Sequence, residues 1–269
     1  MKESDKVFAG SIPALYEQYL VPMIFAPYAA DLASRVAAAG PRRVLEIAAG
    51  TGVVTRALVD ALPDAEIVAT DLNPAMLEQA QSVGTARPVQ WRQADAMALP
   101  FADGEFDAVV CQFGVMFFPD KPQAFAEARR VLKPGGTFLF NVWDRVEEND
   151  FADTIGDALA TVFPDDPPRF MARTPHGYHD AATIHRDLAT AGFAFPPRIE
   201  TLAFRSRAQS ARIVAVAYCQ GTPWRSEIEA RDASMLEAAT DAAEAEIARR
   251  FGAGVVDGRI RAHVVEVEA

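Results

Sequence analysis

Apolar positions along the chain change their period several times, and each change marks an element. Between residues 44 and 142, short apolar runs alternate with amphipathic segments. The runs at 44–47, 66–70, 89–93, 106–111 and 137–142 have the length of strands. The fourth is nearly all apolar after its start, the pattern of a strand covered on both faces. The segments at 51–62, 74–82 and 121–132 repeat their apolar residues every three or four positions. Val54, Leu58 and Leu62 share a face in the first, and Phe125, Ala128 and Leu132 in the last. Pro63 stops the first helix, Asn73 before Pro74 supplies an N-cap and a first-turn proline for the second, and residues 133–136 (Lys-Pro-Gly-Gly) read as a turn. Strands alternating with helices at this spacing predict βαβ units, and right-handed crossovers then place helices on both faces of a parallel sheet.

The flanking regions are looser. Residues 1–40 read as a helical cap broken at Pro13, Pro22 and Pro27, with Tyr16, Tyr19 and Leu20 on one face and a second helix over 31–39. After Asp144 the pattern predicts helices at 151–163, 181–191, 210–220 and 232–251, a sixth strand at 198–205 and a seventh at 259–267. A loop rich in Pro, Asp and aromatic residues fills 164–180. No repeat or linker interrupts the chain. The expected organisation is one domain over 1–269: a cap at 1–40, a core at 41–143, and a remainder at 144–269 with helical insertions around the sixth strand.

Composition narrows the partners. The 269 residues carry a formal net charge of -11, a balance that repels phosphate backbones and anionic lipid, so neither nucleic acid nor membrane is an expected partner. The short stretch Arg205-Ser206-Arg207 is the nearest thing to a basic patch and reads as a solvated strand end. The two cysteines, Cys111 and Cys219, lack metal-ligand spacing and read as reduced, buried thiols of a cytoplasmic protein, with no metal site. The N-terminus carries no secretory h-region, and no apolar run is long enough for a membrane span.

Three features carry chemistry. The first strand runs into Ala48-Ala49-Gly50-Thr51-Gly52, where Gly50 and Gly52 let backbone pass close to a ligand at a helix N-terminus. Asp71 ends the second strand, 19 positions after Gly52, where a carboxylate can accept both hydroxyls of an adenosine ribose; a helix cap or loop aspartate is the alternative. Asp95 follows the third strand, where an acceptor can meet the amino group of adenine; a turn aspartate is the alternative. All three lie at the carboxyl ends of consecutive strands, the edge at which open α/β sheets bind ligands.

Five motifs in order give a resemblance. Residues 44–55, 71–77, 93–101, 111–120 and 130–136 resemble the class I S-adenosylmethionine-dependent methyltransferases, specifically the methyltransferase type 11 group, and the core match covers residues 40–143. The resemblance implies a Rossmann-like, doubly wound α/β fold with a mostly parallel seven-stranded sheet, S-adenosyl-L-methionine as cofactor, and methyl transfer to a small molecule. By position it implies that Gly50 and Gly52 lie under the methionine part of the cofactor and that Glu46 organises the loop. Asp71 then binds the ribose, Leu72 and Met76 flank the adenine, Asp95 takes its amino group, and Ala96 supplies a backbone N–H. Cys111 and Gln112 face the methionine end. Tyr16 and Tyr19 either close over it or pack in a cap helix. Ala48 departs from the family's glycine.

No motif specifies the acceptor, a catalytic residue or an oligomeric state. His176, His179 and His185, with Tyr178 nearby, are the general-base candidates. The acceptor is expected between the cap around residues 16–28 and the segments 144–180 and 206–230. Two other readings share the glycine turn: a nicotinamide-dependent oxidoreductase, and a protein that binds S-adenosylmethionine without turnover. The first prefers Gly or Ala where Thr55 stands.

Overall fold

The computed structural model describes Asp5, Phe8 and residues 10–269. In chain order its longer elements are α1 (Ala26–Ala38), β1 (Arg43–Glu46), α2 (Val53–Ala61), β2 (Glu66–Asp71), α3 (Pro74–Val83), β3 (Gln90–Gln93), β4 (Phe106–Gln112), α4 (Lys121–Val131) and β5 (Leu132–Trp143). They continue with α5 (Asp150–Val162), α6 (Ala181–Thr190), β6 (Arg198–Ala208), α7 (Ala211–Gln220), α8 (Trp224–Arg231), α9 (Leu236–Phe251) and β7 (Val256–Glu268). The seven strands form one sheet in the order β3-β2-β1-β4-β5-β7-β6, and β1 pairs in parallel with β2 and β4, β2 with β3, and β4 with β5. This is the Rossmann-like arrangement, reversing its winding at β1.

Two features depart from the sequence pattern. The helix expected to break at Pro13, Pro22 and Pro27 runs on from Ile12 to Ala38, because Pro13 sits in the first turn and Pro22 lies in a π-helical stretch, Tyr16–Phe25. A wider turn spares the proline the clash it makes in an α-helix. The expected turn at 133–136 is instead a bulge inside β5: Phe106 pairs with Leu132 and Ala108 with Thr137, so residues 133–136 face Asp107 alone. Lys133 Nζ reaches Asp107 Oδ1 at 2.6 Å, Ala269 N–H donates to Gly136 O at 2.9 Å, and Gly135 N–H donates to Ala269 O at 3.1 Å. A side chain at Gly136 would collide with the carbonyl oxygens of Asp107 and Lys133.

The chain divides into two compact units. The larger holds residues 26–142, 178–202 and 262–269. On one sheet face its core gathers Leu32 and Val36 of α1, Val54, Leu58 and Val59 of α2, and Val44, Ile67, Ala108, Val110 and Leu139 of the strands. Phe125, Phe138, Phe140 and Phe193 cluster separately, with adjacent rings 4.9–6.3 Å apart. Burying such side chains stabilises a core by roughly 1.5–3 kcal/mol each.

The smaller unit holds residues 1–25, 143–177 and 203–261. Helices α5, α7 and α9 bury Phe151, Ile155, Leu159, Val214, Tyr218, Ala243 and Ile247. Gly258 of β7 lies under the Phe151 ring, 2.8 Å from where a Cβ would stand, so no larger residue fits there. Arg173 joins Asp5 and Glu227: its Nη2 lies 2.5 Å from Asp5 Oδ1 and 2.9 Å from Glu227 Oε1. Arg205 and Arg207 both bind the carboxylate of Asp257, which offsets half the charge of the short basic stretch in the sequence. Among the described residues no helix is long and apolar enough to cross a membrane.

Candidate functional site

The candidate site lies in the larger unit, at the carboxyl ends of β1, β2 and β4. The turn after β1 is knitted to its neighbours by main-chain bonds: Ile47 N–H donates to Val110 O (2.9 Å), Ala49 N–H to Thr70 O (2.8 Å) and Gly52 N–H to Ala49 O (2.9 Å). Three residues of the turn have left-handed backbone, Ala48 (φ 54°), Gly50 (57°) and Gly52 (83°). At Gly52 space adds to conformation: a Cβ would stand 2.9 Å from Trp91 Cη2. Gly50 has room, with only Met76 Cε near at 3.6 Å, so bare backbone faces outward there. Ala48 pays the left-handed penalty that a glycine avoids, about 1 kcal/mol. The sequence flagged Ala48; the positive φ is what makes the departure costly. Its methyl also fills the space beside Gly114, where a Cβ would stand 2.5 Å from it and 2.7 Å from Cys111 Sγ.

Asp71 ends β2, and its carboxylate draws the two loops together. Oδ2 accepts the Gly50 N–H and Oδ1 the Asn73 N–H, each at 2.8 Å. A carboxylate offers about four lone-pair sites, so the group keeps room for a further donor. Burial raises its pKa, and the bonds from the Asn73, Gly50 and Leu72 amides oppose that rise. Asn73 Oδ1 caps α3 through the Ala75 N–H, which seats Met76 in the core and leaves Leu72 exposed.

Glu46 is buried at the end of β1. Thr55 Oγ1 of α2 donates to its Oε2 at 2.5 Å. Burial pushes its pKa up to about 8, against the pull of the Thr55 bond and of Arg56, with Asp71 adding to the rise. The buried carboxyl therefore favours its protonated form. Thr55, which sequence reasoning weighed only as a mismatch to the dinucleotide fingerprint, is the partner that orients it.

Asp95 and Ala96 form a half-buried turn after β3: Asp95 Oδ1 accepts the Met97 N–H at 2.9 Å. The following loop is held by Arg130, the first residue of the fifth motif, and by Glu127, which lies outside the motifs. Glu127 accepts the Leu99 N–H, and Arg130 binds Leu99 O, Phe101 O and Asp103 while pairing with Glu127. For Glu127 the only signal the sequence offers is its place three positions before Arg130 on α4. Cys111 is fully buried at the end of β4 and burial drives its thiol pKa up, so it is a neutral packing group; Gln112 beside it is half-buried.

The other predicted residues scatter. Tyr19 lies half-buried in the π-helical stretch of the smaller unit. His176, also in that unit, is buried with Nδ1 2.7 Å from Asp144 O. In the larger unit, Tyr178 donates to Asp187 Oδ2 at 2.8 Å beneath Lys121, and His185 is exposed on α6.

A twisted sheet in the order 3-2-1-4-5-7-6, with a glycine turn after β1 and a carboxylate ending β2, is the fold of class I methyltransferases. Residues 45–140 match the family model described as "Methyltransferase domain". Demethylmenaquinone methyltransferase of Thermus thermophilus is 46% identical over 113 residues, 41% of this chain and 50% of that protein. The chain spans about half the length of the curated relatives it matches. Among solved structures, the YcgJ protein of Bacillus subtilis superposes with a TM-score of 0.57 at 19% identity, covering 90% of this chain and 98% of that one. The phosphoethanolamine N-methyltransferase 2 of Haemonchus contortus, in complex with phosphomonomethylethanolamine and S-adenosylhomocysteine, gives 0.58 at 17% identity, covering 98% and 59%.

Proposed function

We propose that the chain, as one methyltransferase domain, binds S-adenosylmethionine at the carboxyl edge of β1–β4 and transfers its methyl group to a small molecule. The observation that carries this reading is Asp71: a carboxylate at the end of β2 that joins the two loops and keeps acceptor capacity for a ribose hydroxyl. Two further features fit the same group. Gly50 presents bare backbone, and Thr51 Oγ1 is buried with no hydrogen-bond partner among the described residues.

When bound, the cofactor supplies a methyl carbon activated by a sulfonium. The residues hold and orient it. Asp71 accepts the ribose hydroxyls, Leu72 and Met76 flank the adenine, and Asp95 with the Ala96 N–H reads its edge. Gly50 and Gly52 let the methionine part approach the backbone, with Glu46 beneath the turn and Gln112 beside it. Cys111 acts through packing, and Tyr19 has no role in this proposal. Direct displacement needs alignment above all, which is worth up to about 7–11 kcal/mol of barrier.

Calorimetry with S-adenosylhomocysteine tests the binding, with micromolar affinity expected. Asp71→Ala removes charge-assisted bonds worth about 1.5–3 kcal/mol and should weaken binding roughly 10–150-fold with the circular dichroism unchanged. Binding of NAD in place of S-adenosylhomocysteine, or an unchanged affinity in the variant, refutes the assignment. Labelled methyl transferred into a metabolite extract separates an enzyme from a binding-only protein.

A further inference from the structure

Resting on that cofactor reading, we propose that Asn141 is a specificity residue whose side-chain amide hydrogen-bonds a hydroxyl or carboxamide on the methyl acceptor. Asn141 lies in β5, fully buried, and neither its Nδ2 nor its Oδ1 finds a hydrogen-bond partner among the described residues. Native cores rarely leave both ends of an amide unpaired, and where they do a ligand, a water or a functional role accounts for it.

Register says where this amide stands. Gln112 of β4 pairs with Asn141, and Glu46 of β1 pairs with Val110, two residues before Gln112. Residues paired across parallel strands share a face, as do residues two apart along one strand. Glu46, Gln112 and Asn141 therefore stand on the same face at the carboxyl ends of three adjacent strands. One step back from the edge that face is apolar, formed by Val44, Val110 and Leu139 in the core under α1 and α2. The polar row begins where ligands bind in open α/β sheets. Strands lie about 4.8 Å apart, so Asn141 is about 10 Å across the sheet from β1, on the side away from Asp71. That is beyond the methionine end of the cofactor, on the acceptor's side.

The neighbours give the chemistry of the acceptor. Phe113 N–H donates to Asn141 O at 3.1 Å, and the Phe113 ring meets Tyr28 edge to face at 5.2 Å. An amide that both donates and accepts, beside an aromatic pair, suits a flat molecule bearing a hydroxyl or carboxamide. Phe113 has left-handed backbone, φ 52°, so the turn over this strand end is strained and is the piece whose displacement admits a ligand.

The experiment titrates protein loaded with S-adenosylhomocysteine with 1-naphthol, benzamide and naphthalene, followed by NMR, in the wild type and in Asn141→Leu. Leucine keeps the size and removes both polar atoms. Naphthol and benzamide should bind the wild type and weaken at least tenfold in the variant, with naphthalene unchanged and the thermal midpoint of the ligand-free variant equal or higher. Should the leucine variant not fold, Asn141→Ser takes its place, with the same selective loss expected for benzamide. Equal probe affinities in variant and wild type overturn the proposal. So does failure of naphthol and benzamide to bind the wild type, or a buried water that keeps both amide atoms bonded when naphthol is bound. Loss of S-adenosylhomocysteine binding by the wild type would instead overturn the cofactor reading.

Discussion

The turn after β1 and the segment around Arg173 both bury carboxyl groups, but they neutralise them by different means. Glu46 has a hydroxyl partner, Thr55, and burial keeps it protonated with a pKa of about 8. Asp5 and Glu227 are met by a guanidinium, and by further donors: Thr174 Oγ1 on Asp5, and the Arg169 and Phe170 amides on Glu227. A proton can leave when a cation arrives, so the first arrangement is adjustable. A guanidinium cannot be titrated away, so the second is a fixed clamp. The adjustable carboxyl sits at the candidate ligand edge, and the clamp holds a loop in place.

Breaking the clamp gives the largest effect. Arg173→Met leaves two buried carboxylates without their cation and should cost about 3–5 kcal/mol, read as a fall in the urea midpoint. A loss under about 1 kcal/mol would mean that the two carboxylates are neutralised another way, and the contrast with Glu46 would collapse.

Glu46 comes next, through pH. In the unfolded chain it ionises near its ordinary 4.5, and in the folded protein at about 8. Between these values the folded state holds a proton that the unfolded chain has lost. The contribution of Glu46 is thus fully present below about 4.5, falls as pH rises, and is gone above about 8. One proton limits the slope to at most about 1.4 kcal/mol per pH unit. Urea midpoints of the wild type and Glu46→Gln, compared from pH 5 to pH 8, should diverge in favour of the variant as pH rises. Parallel curves would show that Glu46 is ionised in the fold.

The smallest effect sharpens the same turn. Ala48→Gly relieves a left-handed alanine and should raise stability by about 1 kcal/mol, a rise of about 2–4 °C in midpoint. It should also make Gly114→Ala better tolerated than in the wild type, since the methyl at 48 is what that new side chain would strike. Equal costs of Gly114→Ala in both backgrounds would show that the two positions do not touch.

What the sequence made legible was local. The glycine turn, Asp71 with its Asn73-Pro74 cap, and Asp95 each depend on neighbours within a few positions. What stayed hidden depends on distant partners. Arg173 and Asp5 are 168 positions apart. The bulge at 133–136 is closed by Ala269, so a stretch with every mark of a turn lies within β5. Asn141 reads as one polar interruption in an apolar strand, and only its register against Gln112 gives it a place. Pro22 predicts a break because an α-helix was assumed, and wider turns remove the clash.

The contact between Gly52 and Trp91 has a consequence of another kind. The chain has three tryptophans. Trp143 and Trp224 are buried in the smaller unit, whereas the half-buried Trp91 rests its indole against the glycine that opens α2. The turn therefore comes with its own optical gauge. A change in its shape alters the surroundings of one indole, and the emission of the intrinsic fluorophores reports on that edge of the sheet without any label.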